Sequence, residues 1–207
     1  MFGKLQEAYA KRRDDIYAMG FFRETFMRGI EIYRVANMIN SMPQDADSTE
    51  AAQVRSRMES FFKDYDAKLD EATMIALLRN YRKQVPDKDY WPDCYNTIDS
   101  LYGGDEAAYA HDVFSRTICL DPSAVDKVLA DSTLRTSDPG LLYADGIPTK
   151  MQEISGSNRD ASTIIDYNEH LLTQALLEMD QETPHYSDAN FTMRLSYGYI
   201  QDYTAGG

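Results

Sequence analysis

Residues 185–198 read HYSDANFTMRLSYG, and the period of this stretch separates two kinds of structure. Phe191, Met193, Leu195 and Tyr197 fall on one face of an extended segment, with Thr192, Arg194 and Ser196 on the other. Such alternation predicts a β-strand. A lone strand cannot satisfy its own backbone donors and acceptors, and no earlier segment offers a partner. Everything upstream carries helical spacing instead. The expectation is a mainly all-α, multi-helix domain over 1–185, followed by an extended segment, 186–207, belonging to a sheet outside this chain. On its own, the tail from Phe191 to Tyr203 should fray or add to another chain, as unpaired edges do.

Immediately upstream, Ile164, Ile165, Asn168, Leu171, Leu172, Ala175, Leu176 and Met179 share one face of a helix near 160–180. Ser155-Gly156-Ser157-Asn158 reads as a loop whose Ser157 or Asn158 caps that helix. Ser137-Asp138-Pro139-Gly140 and Gly146-Ile147-Pro148 read as turns. At the other end, Leu5, Tyr9, Ile16, Met19, Phe26, Ile30 and Tyr33 keep to one face, predicting helix over 5–41 that runs through Gly20 and Gly29. Further helices are expected near 48–64, 71–84, 105–118 and 122–130. Asp47 caps the first of these with Glu50 as its capping-box partner, and Asp70 caps the second. Asp93 opens a short helix ending at Gly103-Gly104, and Asp105 the helix beyond it. Asp121-Pro122 starts the last, with Val125, Val128 and Leu129 inward.

Lys and Arg number 21 against 34 Asp and Glu, a net charge of −13. A polyanion selects basic surfaces, so a nucleic-acid partner is not expected, nor is an anionic membrane. No apolar run approaches the length of a membrane span, and MFGKLQEAYAKRRDD has no signal-peptide core. Cys94 and Cys119 have no metal-ligand spacing. They read as two buried thiols, with a single disulfide open if the protein is exported.

The chemistry-bearing residues do not assemble into a site. His111 beside Asp112 reads as a surface or half-buried helix residue. His170 follows Asp166 by one helical turn, a pair that ordinarily makes a local hydrogen bond. His185 precedes the extended segment. Neither HExxH nor a cysteine cluster is present, so no metal is expected. Ser155-Gly156-Ser157 resembles a nucleophile turn only superficially, because a serine nucleophile needs a base and an oxyanion hole. No catalytic residue, no cofactor and no assignable substrate-binding residue follow from the residues themselves.

Two stretches carry a resemblance. VPDKDYWPDCYNTIDSLYGGDEAAYAHDVFSRTICLD at 85–121 and YSDANFTMRLSYG at 186–198 resemble the bacterial serine dipeptidyl-peptidases that include dipeptidyl-peptidases 7 and 11. The resemblance implies a chymotrypsin-like double barrel bearing a His-Asp-Ser triad, with a large helical domain inserted in it that covers the cleft. This chain looks like that insertion and should hold no triad member. Its expected partners are the barrels of the same polypeptide and, in that context, a peptide substrate. Release of dipeptides from peptide N-termini in the periplasm or outside the cell is the implied activity, with oligomers an open matter.

The family also places an asparagine, in a pattern like S-N-[YW]-[YW]-K, where it helps hold the substrate's amino group. Matching Tyr9-Ala10 and Arg28-Gly29-Ile30 to the family puts Ala18 at that position, within YAMGF. The region around Ala18 is then expected to line the cleft without supplying an amine anchor. Ser187 for the family's proline is a second departure. The alternative reading is a non-catalytic helical binding or scaffolding module of shared ancestry.

Overall fold

The computed structural model describes residues 2–180 and 197–199. It divides into two units, Met1–Asp166 and Tyr167–Gly207. Among the described residues the regular structure is all helical: α1 (Phe2–Phe22), a π-helical segment (Arg23–Gly29), α2 (Ile32–Asn40), α3 (Ser48–Phe62), α4 (Ala67–Gln84), α5 (Cys94–Leu101), α6 (Glu106–Arg116), α7 (Ala124–Ala130) and α8 (Pro139–Met179). Short 3-10 turns at Lys88–Tyr90, Ile118–Leu120 and Ser132–Thr136 join the later helices. The mainly all-α expectation holds. The strand predicted from Phe191 and the residue His185 lie outside the described residues. Tyr197, Gly198 and Tyr199 belong to no helix or strand.

Aspartates start most of these helices, because four amides at each helix N-terminus have no intrahelical acceptor. Asp47 accepts from Thr49 N and Glu50 N at 2.8 Å each, and Glu50 answers by accepting from Asp47 N at 3.1 Å. Asp105 likewise takes Ala107 N and Ala108 N. Two assignments change. Asp93 has helical backbone angles and makes no cap bond to α5. Asp66, not Asp70, caps α4, through Lys68 N and Leu69 N.

Asp70 caps a different helix. It is 3% exposed, and it accepts from Glu31 N at 2.8 Å, Ile32 N at 2.7 Å and the Tyr65 hydroxyl at 2.8 Å. It therefore tethers α4 to the head of α2, where the predicted single helix 5–41 breaks. Burial pushes its carboxyl above the ordinary range, and the three hydrogen bonds oppose that shift. The break follows the π-segment, whose last residue, Gly29, packs against Leu77, and an added Cβ would lie 2.6 Å from the Glu24 carbonyl oxygen. A side chain is therefore excluded at that crossing.

The core of the first unit is aromatic. Phe22, Phe26, Tyr81 and Tyr95 are all essentially buried, with Phe26 and Tyr81 edge-on at 4.9 Å. Each such ring contributes roughly 1.5–3 kcal/mol by leaving water. Their hydroxyls are satisfied: Tyr81 donates to Tyr90 O at 2.8 Å and Tyr95 to Leu78 O at 2.7 Å. The Arg82 guanidinium stands 4.9 Å from both the Trp91 and Tyr95 rings and pairs with Asp99 at 2.8 Å and Glu106 at 2.7 Å. Cys94 and Cys119 are free and buried, as the thiol reading predicts. Burial pushes the Cys119 thiol up to about 12.

The largest departure is α8, 41 residues long with Pro148 inside it. Gly146-Ile147-Pro148 and Ser155–Asn158 are helix, not turn and loop. Leu141, Ala144, Ile147, Ile154, Ala161 and Ile165 are all buried. Their spacing of three, four and seven keeps one face on the core straight through the turn-like composition. Asp138 caps the start, taking Gly140 N and Leu141 N, and also holds Ile118 N at 2.7 Å. In the second unit, Leu171, Leu176, Leu177 and Met179 of α8 are exposed.

Candidate functional site

The buried face of α1 carries Ala8, Asp15, Ala18 and Phe22. Leu5, Tyr9, Ile16 and Met19, expected inward, are half-buried or exposed. This rotation turns Ile16, Met19 and Gly20 toward a groove that α1 shares with α8. Its volume is about 400 Å3, and Arg23, Ile154, Ser155 and Asn158 complete the lining with Asp15. Its apolar side chains are Ile16, Met19 and Ile154, and its polar ones are the Asp15 carboxylate, the Arg23 guanidinium, the Ser155 hydroxyl and the Asn158 carboxamide. Gly20 has open space where a Cβ would stand, so the wall there is bare backbone.

Asp15 is the electrostatic centre of this region. It is fully buried. Its Oδ1 accepts from the Tyr90 hydroxyl at 2.8 Å and pairs with Lys11 at 3.1 Å, while Oδ2 has no hydrogen-bond partner. Lys11 also donates to the Tyr90 oxygen at 2.9 Å. That hydrogen bond, with Asp15 adding to it, raises the Lys11 ammonium above its ordinary range. Tyr90 is itself held by Tyr81, so the network joins α1 to the aromatic core. A buried carboxylate with one compensated oxygen is stable only while its cation stays in place. The network therefore locks the rotation that exposes Ile16 and Met19.

The residues singled out from sequence scatter. His111 is exposed and contacts Glu71 Oε1 at 3.1 Å. His170 and Asp166 lie on α8. Ala18 is 2% exposed and belongs to the core, so the groove is lined by its neighbours Met19 and Gly20 and not by Ala18 itself. Ser155 sits within a continuous helix, whereas a nucleophile elbow needs a tight turn. Among the described residues no three His, Cys, Asp or Glu side chains gather as a metal site, and no helix is long and apolar enough to cross a membrane. Asp15 and Arg23 are not singled out by sequence, and Asn158 reads there only as a helix cap. Their signal is faint, since an aspartate on a helix's inner face looks like any surface aspartate.

The fold has a known counterpart, and the sequence has known relatives. The Peptidase S46 family model matches residues 1–207, and the chain belongs to that family. It is 26% identical to an Asp/Glu-specific dipeptidyl-peptidase of Porphyromonas gingivalis, over 97% of this chain and 29% of that protein. It is 28% identical to dipeptidyl-peptidase 7 of Porphyromonas endodontalis, over 96% of this chain and 25% of the relative. The crystal structure of Porphyromonas endodontalis DPP11 superposes with a TM-score of 0.65 at 19% identity, covering 87% of this chain and 27% of that one. The chain thus spans between a quarter and a third of the length of these relatives.

Proposed function

We propose that this chain is the cleft-covering helical domain of an exported serine dipeptidyl-peptidase, and that its α1–α8 groove faces the peptide. The observation that supports the reading is that the chain, helical in its regular structure among the described residues, matches only between a quarter and a third of the length of much longer S46 relatives. Catalysis then belongs to barrels elsewhere in the polypeptide, and this portion contributes binding and exclusion of water. A groove of apolar side chains edged by Asp15, Arg23, Ser155 and Asn158 suits a peptide backbone with one side chain buried. With Ala18 in the core, this chain holds the peptide's amino end by other means than the family's asparagine.

The test uses the full-length polypeptide. Gly20→Trp fills the groove from an open position and is expected to raise KM for dipeptidyl substrates about ten-fold or more, with kcat and the unfolding midpoint little changed. An unchanged KM in a folded variant contradicts the placement of the peptide in this groove.

A further inference from the structure

The apolar face of α8 continues past its last buried residue. Ile154, Ala161, Ile165 and Asn168 are buried. Their spacing of seven, four and three runs on to Leu172, Leu176 and Met179 by fours and a three. Such spacing keeps all seven residues on one side of a helix. Leu172 is half-buried, Leu176 is 55% exposed and Met179 is 84% exposed. Tyr167, Leu171 and Ala175, spaced by four, border the same stripe and are exposed as well. The last turns of α8 therefore carry an apolar face into water. So short a stretch of helix has little stability of its own and depends on packing that face. A contiguous apolar patch of this kind marks a contact surface.

Charge and chain length narrow the occupant. Between Ile164 and Asp180 the sequence holds four carboxylates, Asp166, Glu169, Glu178 and Asp180, and no lysine or arginine. A second copy laid on the stripe would set carboxylates against carboxylates, and an anionic lipid surface is repelled in the same way. The chain spans 29% and 25% of two relatives it matches, so in a polypeptide of that length most residues lie outside it.

We infer that the end of α8, from Tyr167 to Met179, is the seat of the rest of the polypeptide. The covering surface lies outside these 207 residues and presents apolar side chains bordered by lysine or arginine. The inference rests on the reading of the chain as one portion of a longer peptidase. It gives the molecule two faces with different occupants: peptide in the α1–α8 groove, and protein on the final turns of α8. Because one helix carries both Ile154 of the groove and Met179 of the docking face, α8 is the element through which the covering portion is held.

Leu176→Cys and Met179→Cys are made in the full-length polypeptide and in the 207-residue chain, with Gln174→Cys on the opposite side of the helix as control. Alkylation by N-ethylmaleimide is followed by peptide mapping, which separates the new thiols from the buried Cys94 and Cys119. All three positions are exposed, so the variants keep the fold. At 176 and 179 the rate is expected to fall about ten-fold or more in the full-length protein relative to the 207-residue chain, because a covered thiol is shielded from reagent, while the rate at 174 stays within about two-fold. The proposal is overturned if positions 176 and 179 react as fast as 174 in the full-length protein. It is also overturned by protection already present in the dilute 207-residue chain, where that chain covers its own face, or by protection that grows with concentration, where a second copy does. Dipeptide release by the same full-length protein is measured alongside: its absence removes the peptidase reading, whereas reactive thiols in an active enzyme remove only this inference.

Discussion

The Asp70 carboxylate receives the Glu31 and Ile32 amides and the Tyr65 hydroxyl together, so its removal strands two donors at the head of α2. Asp70→Ala is expected to lower unfolding free energy by about 3 kcal/mol, from a lost cap and buried unpaired amides. Urea unfolding measures it, and a loss comparable to that of a surface aspartate contradicts the tether. Local signals do not reveal such a role. Asp47 and Asp105 cap the helices they precede because the acceptor and its amides are close neighbours in sequence. Asp70 reaches amides 38 and 39 positions away, a pairing that only packing creates. Asp15 is hidden for the same reason: its partner Tyr90 is 75 residues distant.

At the scale of elements, α8 sets periodicity against punctuation. Glycine and proline at 146 and 148 suggest a turn, yet Leu141, Ala144, Ile147 and Ile154 stay buried on one face. Burial of that face outweighs the local cost of a proline inside the helix. Pro148→Ala is therefore expected to raise stability by about 1–3 kcal/mol, because it restores an N–H in a helix interior. Thermal unfolding checks this, and a lowered midpoint would show that residues 146–148 form a turn. Elsewhere the sequence marks helices well: α3 and α6 begin at the expected aspartate caps, α4 begins at Asp66 ahead of the expected Asp70, and α7 begins just after Asp121-Pro122 without a side-chain cap bond. The break between α1 and α2 escapes it, because Gly29 acts through a close approach to Leu77 on another helix.

For the whole molecule, the helical class was legible from period alone, and the family from the stretches at 85–121 and 186–198. The groove was not. Its orientation depends on which face of α1 is buried, and that face carries two alanines and an aspartate in place of a continuous apolar stripe. In the proposed function these residues bind and cover substrate while the chemistry resides elsewhere in the polypeptide. It is tested most directly by treating the purified 207-residue chain with a fluorophosphonate and measuring intact mass, alongside release of fluorophore from a panel of dipeptidyl substrates. No adduct and no inhibitor-sensitive release are expected, since serine catalysis needs nucleophile and base together. A stoichiometric adduct on Ser155 or Ser157, with turnover that the inhibitor abolishes, would contradict it.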